Sequence, residues 1–418
     1  MCKLIINGGR RLCGEIPVQG SKNAALPILA AALLTDEECI IHNCPDITDV
    51  AAAIEILRQL GAEAELEANT VIVCARNICS DKIPKSLMGK MRSSVMFLGA
   101  ILARCGTASV YSPGGCNLGD RPIDIHLRSL RKLGVRIVRS GDGIVCCADE
   151  PVSGDVTMLY PSVGATENIM LLCAGCGRGV RVYNAAREPE IVDLQNFLNF
   201  MGADICGAGT ELIRINPSGN MHGCEYTIMP DRVAAATYAC GAAICGGRVR
   251  LLGAEAEHMR IMLAALESAG CDVLKDEGAV TVAMEGRPRA IEMIKTLPYP
   301  GFPTDMQPLL GAVLTVADGD SEIRETIFSR RFGYTCGLAA LGADMRADGC
   351  SLKIRGRQTL TGADVTAPDL RGGAALALGG LAAHGITRIG GVCHIDRGYE
   401  RIEESFAALG ADIMRCGD

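Results

Sequence analysis

Tryptophan is absent from this chain, and aromatic residues make up only 4% of its 418 positions. Its interior must therefore be built from Ala, Leu, Ile, Val, Met and Cys. An excess of positive charge is also missing. Forty-one Lys and Arg face 48 Asp and Glu, a formal net charge of −7, which argues against nucleic acid as the main partner. The longest apolar runs are broken by Gly, Pro or charge and are too short to cross a bilayer, so no membrane partner is expected. The six histidines are dispersed, and neither a Walker loop nor an HExxH pair occurs. The sequence thus calls for no metal and no cofactor. No secretory leader opens it, since Met1-Cys-Lys-Leu-Ile runs straight into a strand-like segment. Together with 21 cysteines, an odd number scattered through apolar runs, this predicts reduced thiols in a cytoplasm. Cys173-Ala-Gly-Cys176 has CxxC spacing but no matching second pair, and reads as small buried hydrophobes.

Hydrophobic residues at 49% and charged residues at 21% describe a globular chain, and its length calls for at least two domains. A motif of the form Leu-x-x-hydrophobic-Gly-Ala-Asp recurs six times, with glycines at 61, 134, 202, 270, 342 and 410. Their separations are 73, 68, 68, 72 and 68 residues. In each copy an amphipathic helix ends at the glycine, where a left-handed cap costs little, and two strands follow. The sixth copy stops at Asp418 without its second strand. The N-terminal run Lys3-Leu-Ile-Ile6 is an orphan that could supply it.

A second helix also recurs. Its copies begin near Lys22, Arg92, Ser162, Asp231, Asp305 and Asp369, and it is apolar nearly all round, which marks a buried helix. The predicted fold is α/β with two domains. Each is an inside-out α/β barrel in which three buried helices are wrapped by sheets and amphipathic helices. The whole comprises six βαβαββ units, three per domain. The first lobe spans 21–229 and carries a cysteine loop; the second is discontinuous, 1–20 plus 230–418. The buried helices start with polar or charged residues. If those of each half run parallel, their positive ends point one way, and two halves face to face would make a cleft for anions.

That loop is Pro113-Gly-Gly-Cys116-Asn117-Leu-Gly-Asp120-Arg121-Pro122. Its glycines permit positive φ and close backbone approach. Pro122 suits the first position of a helix carrying Ile123, Leu127 and Leu130. Cys116 and Arg121 are thus expected at a helix entrance, where anions bind. Arginine both lowers a thiol pKa and grips phosphate. An incidental cysteine in a surface turn is the alternative reading of this segment alone.

Several longer segments carry a resemblance. They include Gly20-Ser-Lys22-Asn23-Ala-Ala-Leu-Pro, Met91-Arg92-Ser-Ser and the cysteine loop through Asp124-Ile125-His126. Ser162-Val163-Gly164-Ala-Thr and Asn184-Ala-Ala-Arg187-Glu188-Pro189-Glu190 follow. Pro298-Tyr-Pro-Gly-Phe-Pro-Thr-Asp305-Met-Gln307, Glu325-Thr-Ile327-Phe-x-x-Arg331-Phe, Asp369-Leu-Arg371-Gly-Gly and Arg397-Gly-Tyr-Glu400 complete the series. Over its whole length the chain resembles the enolpyruvyl transferase family, whose EPSP-synthase-like fold has two similar three-unit domains with the active site between them. The closer branch moves the enolpyruvyl group of phosphoenolpyruvate onto the 3′-hydroxyl of UDP-N-acetylglucosamine and releases phosphate. That is the first committed step of peptidoglycan synthesis.

The resemblance implies roles residue by residue. Cys116 is the acid on the vinyl carbon, and its sulfur is the one that fosfomycin alkylates in family members. Asp305 is the base for the sugar hydroxyl, although alone it could equally be a helix N-cap. Lys22, Asn23, Arg121 and Arg397 hold phosphoenolpyruvate. Arg92, Arg121, Pro122, Ile123, Asp124, Ile125, His126, Ser162, Val163, Gly164, Asp305 and Ile327 line the nucleotide sugar, with His126 readable as a core histidine too. Arg331, Asp369 and Arg371 are supporting, and Asp231 is assigned capping only. Asn117 and Asp120 stand where the family usually has small or uncharged residues, Ser329 where an acid is expected, and Met96 where some members have tryptophan. Two rivals remain. The shikimate-pathway enolpyruvyl transferase lacks the Pro-Gly-Gly-Cys loop, and a weakly active regulatory paralogue would not need Cys116, Lys22, Asp305 and Arg397. Oligomeric state is left open.

Overall fold

The computed structural model describes residues 2–89, 92–111, 123–141, 143–150 and 152–417; at 92, 93, 176 and 177 it describes the backbone alone. Two compact units emerge. One takes the chain up to Gln19 and from Pro230 onward, and the other the described residues from Gly20 to Met229. Each has its own apolar core.

In the Gly20–Met229 unit the helices Lys22–Ala31, Phe97–Cys105 and Val163–Cys176 lie inside. In the other unit Arg232–Cys245, Gln307–Leu314 and Leu370–Ala382 pack on one another. Residues such as Ala24–Leu29 or Ala374–Leu378 have no polar face to offer water, so these helices are stable only when surrounded. Small residues let them come close. At Gly99 a Cβ would sit 2.3 Å from the Asn168 carbonyl oxygen on the neighbouring helix.

Among the described residues, six sheets and six amphipathic helices make the outer layers. Five sheets have four strands and one has three. Strands such as Leu212–Asn216 and Ser351–Arg355 alternate buried and exposed side chains, as a sheet with one wet face requires. The sheets stay separate, and none closes on itself among the described residues. The βαβαββ order holds around the chain, for instance from Val152–Thr157 through Leu212–Asn216. Two crossings link the halves of this order. Leu12–Pro17 lies parallel to Gly247–Leu252, while Glu225–Thr227 returns to lie parallel to Glu38–His42. The orphan N-terminal strand Lys3–Asn7 sits between Ile386–Gly390 and Asp412–Cys416, antiparallel to both, and completes the sixth copy.

The amphipathic helices are Thr48–Leu60, Asp124–Lys132, Pro189–Phe200, Arg260–Ser268, Thr335–Ala340 and Ile402–Ala408. The repeat glycine follows each, with φ between 92° and 107° at all six positions. Gly342 isolates this backbone term, because a Cβ there would meet nothing within 4 Å. Gly342→Ala should cost about 1 kcal/mol of unfolding free energy, and Gly342→Asn less, by urea denaturation.

Asp193 gives the Gly20–Met229 unit a pH dependence. Its carboxylate accepts from Tyr226 Oη (2.6 Å) and the Met229 N–H (3.3 Å), yet burial outweighs both bonds and pushes its pKa up to about 6. A raised folded pKa contributes stability that is complete below the unfolded value of about 3.9 and is lost as pH rises through about 6. The loss should approach roughly 3 kcal/mol. Buried Glu167, pushed well above the carboxylate range by burial and by Glu190 and Glu188, acts in the same direction. Between pH 5 and pH 8 the thermal midpoint should fall more steeply in the native protein than in Asp193→Asn.

Candidate active site

In the unit that contains residues 230–417, three helix N-termini come together. Asp231 caps its helix by accepting the Val233 and Ala234 N–H groups at 2.7 and 3.0 Å. Asp369 does the same for Arg371 and Gly372, both at 3.0 Å. Asp305 precedes the helix Gln307–Leu314, whose N-cap position is Met306, without a side-chain cap. Its oxygens are turned instead to two arginines. Arg331 Nη2 donates to Oδ1 at 2.9 Å, and Arg371 Nη2 and Nε approach Oδ2 at 3.3 and 3.4 Å. Both guanidinium groups are almost wholly buried, whereas the Asp305 side chain keeps 32% of its surface exposed. The arrangement holds one partly exposed acidic side chain against two fixed guanidinium donors.

The arginines are themselves held. Arg331 Nε donates to the Thr304 carbonyl at 3.0 Å. Arg371 Nη1 donates to Tyr399 Oη at 3.4 Å, and that hydroxyl meets Thr237 Oγ1 at 2.8 Å. Burial pulls the Arg371 pKa down, but the charges of Asp305, Tyr399 and Asp231 more than offset it and keep it above the ordinary arginine value. Glu325, buried, ties the neighbouring turns. Its Oε1 accepts from Thr296 Oγ1 (3.0 Å), Ile327 N (2.8 Å) and Phe328 N (3.1 Å), and its Oε2 from Thr304 Oγ1 (3.0 Å). Ile327 and Asp305 are thus set by one carboxylate. Arg397, half-buried, lies next to Asp396, which together with Glu403 grips Arg415 through paired hydrogen bonds of 2.6–3.0 Å.

In the Gly20–Met229 unit, Ser21 caps the first buried helix through the Ala24 N–H. Lys22, which opens it, is buried, and its Nζ pairs with Asp49 Oδ2 at 2.9 Å. Asn23 follows, half-buried. Pro27 in the same helix has no N–H for the Asn23 carbonyl. Ser162, Val163 and Gly164 form the start of the helix Val163–Cys176, with Ser162 Oγ accepting from Ala165 N at 3.4 Å. His126 is buried against them, and a Cβ at Gly164 would fall 2.9 Å from its Cε1. Asn168 Nδ2 lies 3.0 Å from His126 Nδ1 and also donates to the Val95 and Gly164 carbonyls at 3.1 Å. Ile123, exposed Asp124 and half-buried Ile125 lead into this histidine. Arg92 begins a 3₁₀ turn, Arg92–Met96. Cys116, Arg121 and Pro122 lie outside the described residues, as do Asn117 and Asp120.

The structure therefore groups Asp305, Arg331 and Arg371, with Asp369 at the next helix end, and separately groups His126 with Ser162–Gly164. Sequence reasoning missed Asp49, Tyr399 and Asn168 as partners, and gave Glu325 no role. Asp49 reads locally as an acid in the first turn of a helix, and nothing local signals its partner. Among the described residues, no group of three or more His, Cys, Asp or Glu side chains is placed to hold a metal, and no helix is long and apolar enough to cross a membrane.

The family model for EPSP synthase (3-phosphoshikimate 1-carboxyvinyltransferase) matches residues 6–406. The chain belongs to the enolpyruvyl transferase family. Among its relatives, UDP-N-acetylglucosamine 1-carboxyvinyltransferase 2 of Caldanaerobacter subterraneus subsp. tengcongensis is 47% identical, covering 99% of this chain and 100% of that one. The protein of the same name from Carboxydothermus hydrogenoformans is 44% identical, over 100% of both chains. The crystal structure of the enolpyruvyl transferase NikO from Streptomyces tendae superposes with a TM-score of 0.89 at 27% identity, covering 99% of this chain and 98% of that one. EPSP synthase from Acinetobacter baumannii, at 18% identity and a TM-score of 0.78 over 100% of both chains, shares the fold. This enolpyruvyl transferase thus has the two-part inside-out α/β architecture of its family.

Glu325 offers a test of how its turns are set. Glu325→Gln replaces one acceptor oxygen by an NH₂ group facing donors. It should cost about 2 kcal/mol in urea unfolding.

Proposed function

We propose that this enolpyruvyl transferase moves the enolpyruvyl group of phosphoenolpyruvate onto the 3′-hydroxyl of UDP-N-acetylglucosamine, the first committed step of bacterial peptidoglycan synthesis, in the cytoplasm. One observation carries the reading: identity of 47% across the full length of a relative bearing that activity in its name. Glycine at 164 beside His126, with no space for a side chain, supports a backbone surface there for the nucleotide diphosphate, since helix N-termini bind anions.

In this reading the reaction is addition followed by elimination. Cys116 gives a proton to the vinyl carbon while Asp305 takes the proton of the sugar hydroxyl, whose oxygen bonds to C2 of the donor. The tetrahedral product still carries phosphate. Loss of a proton from the new methyl group then reforms the double bond, and the C2–O bond to phosphate breaks. Arg331 and Arg371 hold Asp305 to one orientation, so that its exposed edge meets the hydroxyl. Lys22, Arg121 and Arg397 neutralise the donor's carboxylate and the leaving phosphate, where charge accumulates, and Asn23 beside Lys22 helps hold the donor. Asp49 positions the Lys22 ammonium. Arg92, Ile123–His126, Ser162–Gly164 and Ile327 hold the nucleotide sugar. Donor and acceptor are both small molecules.

Phosphate release measured with both substrates tests the proposal. The wild-type chain should turn over with UDP-N-acetylglucosamine and not with shikimate 3-phosphate. Asp305→Asn should lower turnover by roughly 10²-fold or more, and Cys116→Ala should abolish it together with adduct formation by fosfomycin. Turnover with shikimate 3-phosphate, or full activity in Cys116→Ala, would overturn it.

A further inference from the structure

Cys39 and Cys224 are far apart in sequence and neighbours in space. Parallel pairing aligns Glu225 with Ile40, and the Ile40 N–H donates to the Cys224 carbonyl at 2.9 Å. One step back along this register Cys224 stands beside Cys39, with the two side chains on the same face of the sheet. Adjacent strands lie ~4.8 Å apart. That falls within the roughly 4.4–6.8 Å Cα separation that disulfides span. Each thiol also shifts the ionisation of the other, lowering Cys39 and raising Cys224. Cys39 is fully buried, whereas Cys224 is partly open to solvent.

Their place in the fold makes the pair more than two cysteines among 21. Glu225–Thr227 is the strand by which the chain returns to the edge of the sheet that it began with Glu38–His42. Just beyond it the Met229 carbonyl accepts from Ser21 N, next to Lys22. A covalent link between positions 39 and 224 would close the Gly20–Met229 unit on itself where its first and last strands meet.

We propose that Cys39 and Cys224 form a reversible modification site, a thiol pair that a low-molecular-weight disulfide converts to an intramolecular disulfide. The accessible Cys224 sulfur attacks one sulfur of the oxidant, releasing one thiol and leaving a mixed disulfide. The Cys39 thiolate then attacks the Cys224 sulfur and expels the second thiol. Two protein S–H groups are oxidised, one external disulfide is reduced, and two thiols leave with the protons. The Cys224 hydrogen bond holds the Cys39 thiol below its ordinary value, which suits the resolving step, while the same bond and burial push Cys224 up. The slower first step matches a site that responds to sustained rather than passing oxidation.

The test uses the full-length reduced protein, incubated with glutathione disulfide, blocked with an alkylating reagent and mapped by peptide mass spectrometry without reduction. The expected result is a Cys39 peptide joined to a Cys224 peptide, two hydrogens lighter than their sum. It should exceed any other cysteine pair and be reversed by reduced glutathione. The oxidised protein should also melt at a higher temperature than the reduced one. In Cys224→Ser both the link and the rise in melting temperature should vanish, with turnover of the reduced protein unchanged. The proposal is overturned if Cys39 stays a free thiol while exposed Cys13 and Cys206 carry glutathione. Cys39 linked mainly to another cysteine, or Cys224 halted as a mixed disulfide, overturns it too.

Discussion

A helix without a polar face has to be surrounded, and the rest of the molecule follows from that constraint. The inner helices are apolar over most of their flanks, so charge away from their ends carries a desolvation cost, as at buried Glu167. Sheets with one wet face, together with amphipathic helices, supply the wrapping. Polar chemistry is thereby pushed to the helix N-termini, where unsatisfied N–H groups need partners anyway. Ser21, Ser162, Asp231 and Asp369 all accept helix N–H groups there, and Asp305, at the corresponding position, is diverted to two arginines.

That diversion has a physical basis. Arg331 and Arg371 are buried, and a buried guanidinium without a carboxylate is costly. Asp305 supplies the charge, and Tyr399 and the Thr304 carbonyl supply further acceptors. The cation pair therefore contributes orientation more than stability: two rigid forks fix where the exposed oxygens point. Asp231, one helix away, adds to the field on Arg371 while its oxygen is engaged in capping.

Much of this scaffold was legible in the sequence, because its signals are local. A glycine at the end of a periodic apolar stretch announces a left-handed cap, and six at nearly equal spacing announce a repeat. The place of Lys3–Asn7 could be inferred because the sixth copy lacked a strand. The site was less legible, since its contacts join distant positions. Asp305 meets Arg331 and Arg371 across 26 and 66 residues, and Lys22 meets Asp49 across a turn and a strand. No periodicity encodes such pairings; the resemblance supplied the residues without their partners. The short strand Glu225–Thr227 itself was hidden, because three residues leave almost no pattern.

The repeated units are alike in backbone and unlike at their tips, and the difference has a consequence. In the unit formed mainly by residues after 230, acids stand at or just before all three inner helices. Asp231 and Asp369 already satisfy helix N–H groups and offset the positive ends of their dipoles, whereas Asp305 is held by Arg331 and Arg371. In the Gly20–Met229 unit the corresponding positions are Ser21-Lys22, Arg92 and Ser162, neutral or cationic. Ser21 and Ser162 cap their helices without a negative charge, so they offset less of the dipole there. One repeated scaffold thus carries acids at the inner-helix ends of one unit and neutral serine caps at Ser21 and Ser162 in the other.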